Sequence, residues 1–284
     1  MYEDQLTNVV LPSDLGSLKD LILQGNLLNN FVVPGGLTNL ETLDLSVNLL
    51  TNVVFSSPLP SLRTLGIAYN RLTTFEVPAI LTNLETLYLE VNQLTNASFP
   101  RGLNKLNHVE LNNNQLFNIS LPSDLTSLAT IYLNVNNLTN ITFPAFLTNL
   151  YSLNVILNPL ESLTLPLCPL NPDAFLITVK GLKYFIVPEL LSNGNLSDLV
   201  QSMTNQGVEV HAYPLETTLT AQSQQSLFSF ELAGPPAIYS ILSSTNLTSW
   251  RKSGTLTNVF GTAVFDDTDA KSPDIFYRAM LKSP

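Results

Sequence analysis

Apolar positions in the first two thirds of the chain neither alternate strictly nor follow a helical stripe. They recur as a block of fixed length. An asparagine returns at Asn26, Asn48, Asn70, Asn92, Asn114, Asn136 and Asn158, 22 residues apart each time. The pattern L-x-x-L-x-L-x-x-N leads up to it, as in Leu40, Leu43, Leu45 and Asn48, or Leu84, Leu87, Leu89 and Asn92. A leucine follows two places on, then two apolar positions spaced by two, then usually proline; in one copy these are Leu138, Ile141, Phe143 and Pro144. The proline column runs from Pro12 to Pro188 and is broken only by Ser56. Within each block, L-x-L predicts a short strand that turns its leucines inward. The later apolar pair, such as Phe75 and Val77 or Leu163 and Leu165, predicts a second extended segment closed by proline. A single tight turn is expected at the L-T-N-L stretches, with little helix anywhere in the block.

This block resembles the motif of the leucine-rich-repeat family over about residues 1–190. A half copy (Leu6, Val9, Leu11, Pro12) opens the series, and a degenerate one (Phe175, Ile177, Lys180, Leu182, Phe185, Val187, Pro188) closes it. The resemblance implies a horseshoe-shaped solenoid with a parallel β-sheet on its concave face. The physics points the same way. One block is too small to bury its own leucines, and stacking the blocks makes one continuous core. An asparagine inside the turn can satisfy buried backbone groups of adjacent repeats, which leucine could not. Lysine stands at the equivalent position of the last copy, so this asparagine ladder is expected to end at Asn158.

Solenoid ends expose core and need caps. Residues 191–214 read as the C-terminal cap. Asn195–Gln206 predicts a helix with Leu196, Leu199, Val200 and Met203 on one face, Gly207 stops it, and Val208–Pro214 predicts a last strand joining the sheet. At the other end the chain enters mid-repeat, and Leu6, Val9, Leu11 and Leu15 lack a covering layer. Two explanations are open: truncation of a longer secreted precursor, or burial of that end by self-association. The first residues show no signal peptide, having neither a basic nor an apolar region.

From about Leu215 the period stops and aromatics appear. TTLTAQSQQ reads as a connection. Alternating runs follow at Leu227–Leu232, Ile238–Leu242, Thr262–Phe265 and Ile275–Leu281, separated by turn material that includes Gly254 and Asp266–Asp267. Residues 215–284 therefore predict a small β-sandwich accessory module. FELAGPPAIYSILSSTNLTSW and the later FYRA resemble a β-module at the C-termini of secreted bacterial proteins, which implies a surface or export setting. The fold class is thus mainly β, a repeat solenoid followed by a sandwich.

Composition changes the picture in two ways. Of 284 residues, 55 are leucine and only 12% are charged, with a net charge of −10. Twelve Lys+Arg in an acidic chain argue against nucleic acid and anionic membrane as partners. No apolar run reaches the length of a membrane span. One cysteine, Cys168, excludes an internal disulfide framework and a Cys-rich zinc site.

Strand alternation places three columns on the open face of the sheet. They run Asp20, Thr42, Thr64, Thr86, His108, Thr130, Ser152, then Ile22, Asp44, Gly66, Tyr88, Glu110, Tyr132, Asn154, then Gln24, Ser46, Ala68, Glu90, Asn112, Asn134, Ile156. Tyr88, Glu90, His108, Glu110, Asn112, Tyr132 and Asn134 thereby gather on three neighbouring strands. Aromatics give contact area and carboxylates and amides give direction, so this patch is the candidate ligand-binding site. The alternative is ordinary solvated sheet surface. Glu90, His108 and Glu110 also hold acid–base groups and part of a metal-ligand set, but an open face supplies no water-excluding pocket. No catalytic residue, metal site or cofactor is expected, and no phosphate loop, nucleophile elbow or C-x-x-C is present.

The remaining candidates have structural readings. His211 and Cys168 read as packed residues, and Trp250 as a core or edge residue rather than a sugar platform. Asp266, Asp267 and Asp269 read as an acidic turn rather than a calcium loop. The N-x-S/T sites at Asn96, Asn118, Asn140, Asn195 and Asn246 follow largely from the repeat. The whole predicts a non-enzymatic extracellular or cell-surface scaffold that binds a protein or polysaccharide on its concave face. The alternatives are a structural or assembly protein of the cell surface, and a carbohydrate-binding accessory part of a larger protein.

Overall fold

The computed structural model describes residues 4–12, 14–145, 147–177, 180–223, 228–268 and 275–282. They form two compact units, residues 1–162 with 168–182, and residues 163–167 with 183–284.

In the first unit the L-x-L segments form an eight-stranded parallel sheet: Asp20–Ile22, Thr42–Asp44, Thr64–Gly66, Thr86–Tyr88, His108–Glu110, Thr130–Tyr132, Ser152–Asn154 and Phe175–Leu176. Register is set by the period, so Thr42 pairs with Thr64 and Thr86 with His108. The inward residues Leu43, Leu65, Leu87, Val109, Ile131 and Leu153 are completely buried. At ~1.5–3 kcal/mol for each fully buried side chain, these rows are the main stabilising term. The later apolar pairs form short outer strands, including Asn30–Val33 paired with Asn52–Phe55 and Asn96–Ser98 paired with Asn118–Ser120. Phe75 and Val77 form no strand, although Val77 is buried. The L-T-N-L stretches make single i→i+3 turns, such as Leu84 N to Leu81 O at 3.0 Å and Leu150 N to Leu147 O at 3.2 Å.

Each ladder asparagine ties two repeats together. Asn92 Nδ2 donates to Leu89 O of its own turn (3.2 Å) and to Ile67 O of the preceding repeat (2.9 Å). Its Oδ1 accepts from Leu72 N (3.0 Å). Asn48, Asn70, Asn114, Asn136 and Asn158 repeat this scheme, and Asn26 Oδ1 accepts from Leu6 N. The seven asparagines are 4–9% exposed, so their bonds are shielded from water. A second amide row lies in the L-T-N-L turns, where Asn39, Asn83 and Asn149 donate to carbonyls of the previous repeat. The residue before the ladder position takes the left-handed conformation in copy after copy (Val47 φ 56°, Tyr69 53°, Val91 53°, Val135 58°), a costly state for β-branched side chains. At the N-terminal end Leu6, Val9, Leu11 and Leu15 are half-buried, whereas their counterparts Leu28, Phe31, Val33 and Leu37 are fully enclosed.

In the second unit Tyr184–Pro188 pairs in parallel with Glu209–Tyr213, and helices Glu189–Ser192 and Ser197–Asn205 connect them. Helix Ser197–Asn205 buries Met203, with Leu199 and Val200 half-buried; Leu196 at its N-cap is buried, and Gly207 (φ +84°) follows its end. The strand expected over 208–214 is Glu209–Tyr213, and it joins Tyr184–Pro188 and not the eight-stranded sheet. The remainder forms two three-stranded antiparallel sheets. One holds Thr218–Ser223, Phe228–Ala233 and Thr262–Asp267; the other holds Arg251–Asn258, Ala237–Ser244 and Phe276–Leu281. Phe230, Leu232, Tyr239 and Ile241 form the core between them.

Three expectations are corrected here. The supposed connection at Thr218 is an edge strand, fixed by pairing to Phe228–Ala233. Gly254 lies inside a strand beside a bulge, where a Cβ would stand 2.6 Å from Phe265 Cε2. Asp266 and Asp267 end a strand rather than making a turn, and buried Asp267 accepts from Tyr277 Oη at 2.7 Å. Asp269 lies outside the described residues.

The ladder scheme predicts that Asn92→Ala leaves the Leu72 N–H without its acceptor and opens a small void. The expected loss is about 2–4 kcal/mol, read from urea unfolding midpoints. A change below about 0.5 kcal/mol would contradict the bridging role.

Candidate functional site

Side chains at paired positions of a parallel sheet stand side by side, so the 22-residue period converts sequence columns into rows across the open face. Register places Glu110 between Tyr88 and Tyr132, and His108 between Thr86 and Thr130. His108 thus interrupts a row of threonines. Its ring lies 5.6 Å from the Tyr88 ring and 5.9 Å, edge-on, from that of Tyr132. Its Nε2 is 2.9 Å from Glu110 Oε1. The four side chains hold one another in a fixed tyrosine–histidine–tyrosine array, all half-buried.

Directly beside this array, in the next row, lie Glu90, Asn112 and Asn134. Glu90 Oε2 and Asn112 Oδ1 are occluded from solvent and accept no hydrogen bond. Buried polar atoms normally have partners, so two vacant acceptors at equivalent positions of adjacent repeats mark this spot out. Burial pushes the Glu90 carboxyl above its ordinary pKa; Glu110 and Asp44 push the same way, while its own backbone N–H and His108 oppose them. Tyr88 is likewise raised, by burial first and then by Glu110 and Glu90. The structure therefore brings together all seven residues singled out on the sheet face.

It does not add the other candidates to them. Cys168 is buried, and its thiol is pushed up to about 12 by that burial, which leaves it unreactive at neutral pH. His211 stacks on Phe260 at 4.6 Å in the second unit, with Nε2 3.0 Å from Glu209 Oε1. No group of three or more His, Cys, Asp or Glu side chains among the described residues is arranged to hold a metal ion. No helix there is long and apolar enough to cross a membrane.

A further row of the sheet face follows the same 22-residue spacing as the ladder. Four of the seven left-handed positions before ladder asparagines carry exposed apolar side chains: Val47, Tyr69, Val135 and Leu157 are 45%, 54%, 36% and 63% exposed, while Gly25, Val91 and Asn113 hold the other three. They fall into two pairs, one on each side of the half-buried Val91 and the polar Asn113.

A family model described as the BspA type leucine rich repeat region matches in six copies over residues 2–90 and 68–175. No curated protein matches the chain. Among solved structures, the LRIM1/APL1C complex is similar with a TM-score of 0.50 and 20% identity, over 78% of this chain and 39% of that one, which shows a shared fold. YopM from Yersinia enterocolitica WA-314 is 24% identical (TM-score 0.46), over 66% of this chain and 40% of YopM. InlP from Listeria monocytogenes is 22% identical (TM-score 0.46), over 92% of this chain and 68% of InlP. The chain thus spans about two fifths of the YopM and LRIM1/APL1C chains.

The raised Glu90 pKa has a definite consequence for stability. The ionised carboxylate costs folding free energy at pH values above its folded pKa, and the cost disappears below the unfolded value of about 4.3. Glu90→Gln is therefore expected to melt above the parent at pH 7, with the difference closing as the pH falls towards about 4. A difference that stays constant with pH would contradict the burial argument.

Proposed function

The chain belongs to the BspA-type leucine-rich-repeat family, and from this we propose that it is a non-enzymatic recognition protein acting at the cell surface or outside the cell. Leucine-rich-repeat proteins act generally in protein recognition and binding. Here the binding surface is the sheet face around Tyr88, His108 and Tyr132, and the partner is a protein. The observation that carries this reading is the Tyr88–His108–Tyr132 aromatic array, with Glu110 beside His108, on one face of the sheet. The half-buried Glu110 carboxylate beside the rings suits a partner group that brings N–H, such as an arginine, lysine or backbone amide. The tyrosines supply contact area at low entropic cost and a face for a cation.

The extracellular setting draws support from the C-terminal module's resemblance to modules of secreted bacterial proteins. Aromatic rings and polar groups standing on adjacent strands of one sheet face give contact area and direction, which supports binding.

The test is capture of partners by cross-linking from the native secretome. The parent chain is compared with a Tyr88→Ala, Tyr132→Ala double variant of unchanged thermal unfolding. Loss of the captured protein in the double variant is the expected result, since central aromatic anchors typically contribute at least about 2 kcal/mol each. Undiminished capture by the double variant overturns the assignment of this face.

A further inference from the structure

The C-terminal sandwich has two outer faces of opposite character. On the sheet holding Thr218–Ser223, Phe228–Ala233 and Thr262–Asp267, the outward side carries Glu231, paired with Val264, and Asp266, paired with Ser229. On the other sheet, Lys252 and Arg278 flank Leu242 of the central strand. Lys282 continues that face beside Ile238, whose carbonyl accepts from Lys282 N at 2.8 Å. Met280, 49% exposed, stands between Arg278 and Lys282, and Ile238 is 44% exposed. The pairs that make up this face contain no carboxylate. In a chain of net charge −10, this is a separated cationic surface.

Arg278 is also pre-oriented. Its guanidinium lies 4.2 Å above the Trp250 ring, and the indole is anchored in turn by Nε1 donating to Leu247 O at 3.2 Å. Stacking removes side-chain freedom in advance and leaves the planar fork free at its edge for an anionic oxygen pair.

Spacing decides which anion fits. Lys252 and Arg278 stand two strand steps apart, ~10 Å, and Arg278 and Lys282 are four residues apart along one strand, ~13 Å. Positions ~10 and ~13 Å apart spread the cations along the face instead of rooting them at one point, which suits an extended anion. Three dispersed cations also make a thin footprint for nucleic acid, whose charge density is far higher. Apolar side chains between the cations offer surface for the C–H faces of sugar rings. We infer that the outer face of the Arg251–Asn258, Ala237–Ser244 and Phe276–Leu281 sheet binds an acidic polysaccharide, with Lys252, Arg278 and Lys282 pairing to carboxylates on successive units of the polymer. This surface is independent of the solenoid face.

The experiment uses the full chain and immobilised polygalacturonate, with uncharged dextran as control. The parent is expected to bind polygalacturonate but not dextran at about 50 mM salt, weakening steeply as salt rises because bound counterions are released. Lys252→Ser, Arg278→Ser, Lys282→Ser together are expected to lower affinity at least about tenfold, by removing all three charge pairs. Arg278→Lys, which keeps the charge and the fold but loses the stacked fork, is expected to bind between the two. Tyr88→Ala, Tyr132→Ala is expected to bind polygalacturonate like the parent, which separates this proposal from the role of the solenoid face. No binding by the parent, equal binding to dextran, tighter binding to duplex DNA than to polygalacturonate, or a folded triple variant that binds undiminished would each overturn it.

Discussion

Everything in the solenoid depends on how the chain turns sharply after each three-residue strand without leaving buried backbone groups unpaired. A turn there places carbonyls and N–H groups of adjacent repeats in a dry interior, where each vacant group costs about 1–3 kcal/mol. One primary amide meets both needs, with Nδ2 serving carbonyls of two repeats and Oδ1 accepting an N–H of the earlier one. Asparagine therefore sets the 22-residue period as firmly as leucine does, and fixes the register that builds the open face. The left-handed residue before it follows from the same turn; Val47, Val91 and Val135 sit in a conformation they would otherwise avoid.

That register is why a functional surface can be assembled from residues far apart in the chain. Tyr88, Glu110 and Tyr132 lie 22 residues apart, yet stand in one row because their strands pair in phase. His108 locks into the array where neighbouring repeats have threonine. The sandwich reaches a comparable result by another route: strand pairing sorts cations to one outer face and carboxylates to the other. A chain carrying little charge thus concentrates it where its sign has a use.

Much of this was legible in the sequence, and the limits have physical causes. The 22-residue period gives the parallel strands, the ladder and most of the outer segments, though not one at Phe75–Val77, because each rests on a repeated local pattern. The sandwich lacks repetition. Thr218–Ser223 and Arg251–Asn258 are edge strands whose polar residues and internal Gly254 show no apolar alternation, so only pairing partners reveal them. Asp267 looked like turn material because its partner, Tyr277, arrives from a strand ten residues on. The vacancy of Glu90 Oε2 and Asn112 Oδ1 depends on what neighbouring side chains fail to provide, which no column of residue types records.

The central claim, that buried asparagines couple each repeat to the one before it, is most directly measured by native-state hydrogen exchange. The amides of Leu50, Leu72, Leu94, Leu116 and Leu138 donate to Oδ1 of the next ladder asparagine. They should exchange as slowly as the strand amides and open together as one cooperative group. Exchange of these five amides at the rate of exposed loops, or independently repeat by repeat, would contradict the account.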